Sequence, residues 1–504
     1  MLLSIIKKRS INYAQLKNST VFLFLSLVTF FIRFPFFFRD YVDRDESTFI
    51  LLGQSWVDGQ LPYMELWDLK PPLTFAFFAV IISIFGKSFL AIRFFGALLV
   101  VITAFFTFKI SLKITTKKVA FWASFSCVLL LSLFGSLQGV MSEHICMVFF
   151  VPGLYVLISK KESYWFFLAG ILMGITVMVK LNMAYPILLL GLFLLYEFFK
   201  TKNTKFVWNI LLYGTGVVCV IILTILPYYS SGELMVWWKS VILAPLKYTE
   251  ARRFSIFKLA PTFLLVGGFL FLFWKKGWID FKNKASILLV IAIIGVLLSF
   301  LKGGRINGHY LIQLHPMLLI LLAVAAHALI TIYKPKLPKV LLFLLFLIPI
   351  ESYLEYANII QNKINKGTFF NGEGFTVPEY IVNNQLEKKN ILFLGYHIGY
   401  WNLESLPPTK AATHPSNICR DELFPFFDNE RKKSIEELRY IMEDLSPKTI
   451  VVRQGRRVFD KKELELNEYI DAYLVKHYKV HAVVEKAEIL HKAPMAISKL
   501  RILF

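Results

Sequence analysis

The chain has 504 residues, 56% of them hydrophobic and 16% aromatic, with 49 Phe and a formal charge of +22. With a mean hydropathy of +0.58, this composition excludes a soluble domain and describes an integral membrane protein. The positive charge does not imply nucleic acid, because Lys and Arg sit in short loops between apolar runs, the positive-inside pattern.

The apolar runs are about 16–25 residues long and do not alternate, so they are helices and not barrel strands. Lys7, Lys8 and Arg9 precede the first span, about 20–38, and no small-residue cleavage site follows, so this span is expected to be uncleaved. With the N-terminus in the cytoplasm, the acidic stretch Arg39–Pro72 reaches the outer face. Leu73–Gly86 follows a Pro-Pro pair and is too short to cross, so it is expected in the interface or dipping back. The next span, about 89–112, returns to Lys113, Lys117 and Lys118.

Spans at about 119–136 and 143–159 meet outside at Glu143 and His144. Those at about 164–180 and 182–199 meet outside at Lys180. Spans at about 207–228, 260–274, 285–301, 313–332 and 339–352 follow, with outer loops at Tyr229–Leu259 and Lys302–Pro316. That gives about eleven crossings, with the N-terminus inside and the C-terminus outside. A crossing at Leu73–Gly86 would instead put Lys113–Lys118 outside and break the charge rule at every later loop.

Beyond Ser352 short β-branched runs (Ile391–Leu394, Thr449–Val452, Val480–Val484) mix with amphipathic segments at about 430–445 and 461–477. The expected organisation is therefore an all-α polytopic membrane domain at 1–352, with interfacial helices, and a small outer-face α/β domain at 353–504. Cys127, Cys146 and Cys219 lie in apolar runs and Cys419 stands alone in the tail, which leaves no metal-type spacing and no disulfide within the tail.

A carboxylate cluster beside a membrane span is a functional candidate by default, since burying charge is costly. Asp43, Asp45 and Glu46 form one such cluster, and Glu65, Asp68 and Lys70 follow. Lys70 precedes Pro71, which holds it extended. Each group has a plainer reading: a solvated acidic loop, or an aromatic anchor with a snorkelling Lys. The loop Gly303–Tyr310 carries Arg305 and His309, and an Arg there suits a phosphate. Gly170–Gly174 has GxxxG spacing, which close helix packing explains. The sequence has neither a P-loop nor a dinucleotide fingerprint, so a cytoplasmic nucleotide sugar is not the expected donor.

The order Asp45-Glu46, Gly59, Pro62-Tyr63, Trp67-Asp68-x-Lys70-Pro71-Pro72, Phe85-Gly86-x-Ser88 and Arg93 resembles the lipid-phosphate-dependent membrane glycosyltransferases of the GT-C superfamily. It is nearest the family 39 group, with its protein O-mannosyltransferases and lipid A aminoarabinose transferase. The resemblance is strong over about 40–115. It implies a GT-C fold and an inverting transfer of sugar from a polyprenyl-phosphate donor to a lipid, glycan or protein hydroxyl at the outer face of a bacterial inner membrane.

By that resemblance Asp45 is the catalytic base. Glu46, Asp68, Lys70, Lys180, Arg305, His309 and Tyr310 contact substrate, while Glu143 and His144 are the candidate ligands of a divalent metal, the one cofactor considered. Membrane lipid is an expected partner and nucleic acid is not. Replacing Lys70 or Lys180 with Met is expected to weaken donor binding with little change in stability. The aminoarabinose enzyme carries an Arg three residues after its Asp, where this chain has Thr48. The alternative functions are a lipid-linked sugar flippase, which would carry charge along a central path, or a polysaccharide ligase or polymerase.

Overall fold

A computed structural model describes residues 13–40, 43–251, 256–304, 307–334 and 344–493. Arg305 and part of the span expected at 339–352 lie outside the described residues. The chain forms two compact units. One comprises 1–38 with 70–365, the other 39–69 with 366–504. The sequence placed its division at 352/353; the units divide the chain at 38/39, 69/70 and 365/366, so the acidic stretch after the first span joins the tail.

The first unit is a helical bundle. Its helices are α1 (Asn18–Arg33), α3 (Pro72–Phe85), α4 (Phe89–Ser111), α5 (Lys117–Ser132), α6 (Ser142–Ser159), α7 (Tyr164–Val179), α8 (Ala184–Thr201), α9 (Lys205–Ser230), α10 (Ile256–Lys275), α11 (Lys284–Gly303), α12 (His315–Tyr333) and α13 (Ile350–Lys366). Among the described residues, seven helices are long and apolar enough to cross a bilayer; Pro72–Phe85, Tyr164–Val179 and Ala260–Lys275 are apolar but shorter. Leu188, Leu223 and Leu264 are more than 60% exposed, as a surface solvated by lipid requires. The protein is a multi-pass membrane protein.

Local rules set the boundaries. Ser88 accepts from the backbone N–H of Ala91 and caps α4; Asn283 accepts from Ala285 and caps α11. Gly170 on α7 faces Tyr213 and Gly216 on α9 so closely that a Cβ would lie 2.2 Å from the Tyr213 carbonyl oxygen. The small-residue spacing thus serves backbone approach.

The bundle has two chemically distinct ends. At one, the Lys117 ammonium donates to Ala14 O (3.0 Å) and Asn283 to Lys113 O (3.0 Å). That end carries the basic loops. At the other, the Arg33 guanidinium donates to Leu131, Leu137, Gln138 and Gly139 carbonyls at 2.7–3.2 Å, and Arg93 donates to Phe36 O (3.1 Å). Helix α3 starts at this second end, where the Thr74 hydroxyl donates to Val179 O (2.7 Å). The helix after it, α4, starts there too, at Arg93. The 14-residue α3 therefore begins and ends at one end of the bundle and does not traverse it.

The second unit holds a four-stranded sheet, order β1-β2-β4-β3, from β1 (Ile391–Phe393), β2 (Thr449–Arg453), β3 (Tyr478–Val484) and β4 (Ala487–Lys492). β1 and β2 are parallel, with Leu392 beside Ile450. β2 and β4 are antiparallel, with Ile450 opposite Leu490, and β3 and β4 form a hairpin with a register shift at Val480/Ala482. Ile489 of β4 shares a face with its partner Val451 and Leu490 shares the other with Ile450, and all four are buried. Its helices are α2 (Arg44–Val57), α14 (Glu373–Asn383), α15 (Ser434–Arg439) and α16 (Leu464–His477). Residues 39–69 are tied in at several points: Asp40 accepts from the backbone N–H of Gly374, Trp67 N donates to Thr413 Oγ1 (3.2 Å), and Trp401 Nε1 donates to Gln54 (2.9 Å).

Candidate functional site

The polar residues singled out in the sequence collect in two clusters, one in each unit. In the membrane unit, Glu143 occupies the first turn of α6 and Lys180 caps the C-terminus of α7. Each charge suits its helix end, a carboxylate at the positive terminus and an ammonium at the negative one. Lys180 Nζ lies 2.5 Å from Glu143 Oε1, and the two side chains are 8% and 1% exposed. The ammonium also sits 4.7 Å from the Tyr310 ring centroid and 3.4 Å from Ser142 Oγ.

His309 Nε2 is 3.7 Å from Glu143 Oε1. Asn182 and Gln313 exchange two amide hydrogen bonds of 3.1 Å and hold the segment after Lys180 against the segment after Tyr310. Thr74, four residues after Lys70, bonds the carbonyl of Val179, the residue before Lys180. The sequence thus brings two lysines, 110 positions apart, to one end of one bundle. Lys180 and His309 both meet Glu143 at this end of the bundle, cationic side chains of the kind an anion would need.

The metal assignment does not fit these residues. His144 Nδ1 accepts from Met141 N (3.2 Å) and Nε2 donates to Leu131 O (2.8 Å), so neither ring nitrogen has a lone pair left for a metal. Glu143 is already neutralised by Lys180. Among the described residues no group of three or more His, Cys, Asp or Glu is arranged to hold an ion. His144 is a structural residue of the loop that Arg33 also binds.

In the second unit, Asp43 caps α2 and its Oδ1 accepts from Asp45 N (2.9 Å). Asp45 is thereby spared from capping, and its Oδ1 lies 3.3 Å from His414 Nε2. One residue on, Glu46 is 1% exposed, and Asp68 of the same unit is 5% exposed. Thr48 Oγ1 donates to Arg44 O (3.1 Å), so its oxygen accepts from His397 Nε2 at 2.9 Å. Burial holds His397 well below the usual imidazole range, with the nearby His414 and Arg44 charges acting the same way. His397 is therefore neutral. Two histidines from the tail hold successive turns at the start of α2, their rings 5.8 Å apart. Neither was singled out in the sequence; the visible signal was the triplet His414-Pro415-Ser416, which looks like a loop.

By sequence, the family described as dolichyl-phosphate-mannose-protein mannosyltransferase matches residues 69–228. The fold is similar to that of ArnT from Cupriavidus metallidurans bound to undecaprenyl phosphate, with TM-score 0.59 and 13% identity over 95% of this chain and 98% of that one. It is the GT-C glycosyltransferase fold. The apo structure of the same ArnT matches with TM-score 0.58 and 13% identity, covering 94% of this chain and 97% of that one. The Archaeoglobus fulgidus oligosaccharyltransferase has TM-score 0.47 and 14% identity, covering 90% of this chain and 72% of that chain. No curated protein matches by sequence. Of the residues that carry the resemblance, the family match takes in Lys70–Arg93 and leaves Asp45–Asp68 outside it, while the likeness of fold covers nearly the whole chain.

Proposed function

We propose that the protein transfers a sugar from a polyprenyl-phosphate-linked donor to an acceptor hydroxyl at the outer face of a bacterial inner membrane. The observation that carries this reading is Lys180, buried against Glu143 and Tyr310 at the end of the bundle away from the basic loops, with Lys70 four residues before Thr74, whose hydroxyl bonds the residue preceding Lys180. A lipid tail partitions into the bilayer, and its phosphate then needs cations near the membrane surface. The fold likeness to a protein solved with undecaprenyl phosphate supports the same class of donor.

In the reaction, the acceptor oxygen bonds to the anomeric carbon as the bond from that carbon to the phosphate oxygen breaks. Polyprenyl phosphate leaves, stabilised by the lysines, and the hydroxyl proton passes to Asp45. Displacement in one step inverts the anomeric centre.

Full-length protein in nanodiscs, assayed with undecaprenyl-phosphate-linked sugars as probe donors, tests this. Asp45→Asn is expected to lower transfer on the order of 10²-fold or more. Asp43→Asn should stay close to wild type, because Asn caps a helix as well as Asp does. Lys70→Met should weaken binding of undecaprenyl phosphate, and Lys70→Arg should restore it only in part, since guanidinium is planar and bulkier. Transfer unchanged in Asp45→Asn, or affinity unchanged in Lys70→Met, would remove the corresponding role.

A further inference from the structure

We propose that His414 is a positioning residue for Asp45, holding its carboxylate in the orientation that receives the acceptor proton. The inference rests on the reading of Asp45 as the base. His414 and Asp45 are 369 positions apart in the chain and belong to one compact unit.

The ring's orientation and tautomer are both fixed locally. His414 is extended (φ −120°, ψ 114°), as a residue before proline prefers, and Pro415 opens the short turn that follows. That turn brings Ser416 back onto the ring. Its backbone N–H donates to His414 Nδ1 at 3.2 Å, and its hydroxyl lies 2.8 Å from the same nitrogen. Nδ1 is thus an acceptor, which leaves Nε2 to carry the N–H that points to Asp45 Oδ1. The imidazole is 7% exposed, whereas the Asp45 side chain is 25% exposed. A rigid, buried donor therefore grips a carboxylate that still meets solvent.

The neighbouring contacts hold the rest of this helix start. Capping of α2 is done by Asp43, so the helix terminus places no demand on the Asp45 carboxylate. Thr48, on the next turn, is held by His397. Together the two histidines set the rotation of the start of α2 and the direction of one carboxylate on it. A base must lie within hydrogen-bond reach of the proton it takes, and a misplacement of about 1 Å can cost on the order of 10²-fold.

Three substitutions separate the parts of the ring. His414→Gln keeps a donor where Nε2 stands. His414→Asn keeps a polar group only near Nδ1, and His414→Phe keeps the shape alone. In full-length protein in nanodiscs, with undecaprenyl-phosphate-linked sugars as probe donors, His414→Phe and His414→Asn are expected to lower kcat about 10-fold to 10²-fold with donor KM unchanged. His414→Gln should recover most of the rate. The structure of His414→Phe should show the Asp45 carboxylate turned from its wild-type rotamer, a result independent of turnover. An unmoved carboxylate in that structure, or equal rates for the Gln and Phe variants, would overturn the proposal. Asp45→Asn without loss of transfer would instead overturn the assignment of the base, leaving the carboxylate orientation as a separate result.

Discussion

At the scale of single residues, Lys180 shows how a side chain's surroundings change what its replacement means. The sequence expectation was that Lys180→Met would weaken donor binding and spare stability. The ion pair alters the second half: with the ammonium gone, Glu143 is left charged and 1% exposed. Removing one partner of a buried pair typically costs about 3–5 kcal/mol. Lys180→Met should therefore lower thermal stability markedly, and the double variant Lys180→Met with Glu143→Gln should recover most of it, since no buried charge then lacks its partner. A thermal-shift series on the two variants in detergent checks this; equal melting of single and double variants would mean that the pair contributes nothing net. Both residues were legible in the sequence, since polar residues at span ends stand out against 56% hydrophobic composition. Their pairing was not, because it depends on α6 starting where α7 ends. His414 was illegible for a related reason, as nothing near it in sequence hints at Asp45.

Elements were easier to read than contacts. Long apolar runs can only be helices in a bilayer, so the spans expected between about 20 and 332 fall on described helices to within a few residues, the span at 339–352 lies in part outside the described residues, and Leu73–Gly86 is the helix Pro72–Phe85 that keeps both ends at one end of the bundle. The tail runs at Ile391–Leu394, Thr449–Val452 and Val480–Val484 are strands, but β4 escaped notice because AEILHK carries charge near both ends and has no clean alternation of apolar and polar residues. Among the glycines, the Gly170–Gly174 spacing marked a packing face: Gly170 meets Tyr213 and Gly216, and Gly174 meets Val217 and Val220, all on α9. Gly170→Leu places a side chain against the Tyr213 backbone, which cannot retreat without moving α9. Loss of folded, monodisperse protein is expected, whereas Gly214→Ala, whose Cβ would meet nothing within 4 Å, should purify normally. Size-exclusion profiles of the two compare them directly. Normal behaviour of Gly170→Leu would mean that α7 and α9 pack less closely than described.

For the whole molecule, the open question of sidedness has a physical answer to test. One end of the bundle gathers Lys113, Lys117 and Lys118 with the start of α11 at Asn283. The other gathers Glu143, Lys180, His309 and the end of α11, where Ser299 bonds Asn182 (3.2 Å). Cytoplasmic loops carry the excess of Lys and Arg, so the first end is expected inside and the Lys180 end outside. The charge rule also requires α3 not to cross, and its geometry meets that requirement independently. In a background with the four native cysteines replaced, Lys118→Cys and Lys302→Cys provide exposed thiols at opposite ends of the bundle. A membrane-impermeant maleimide added to intact spheroplasts should label Lys302→Cys at once and Lys118→Cys only after lysis. The reverse pattern would invert the protein, putting the cationic cluster in the cytoplasmic leaflet and removing the outer-face donor. Labelling of both from one side would break the bundle's two-ended arrangement itself.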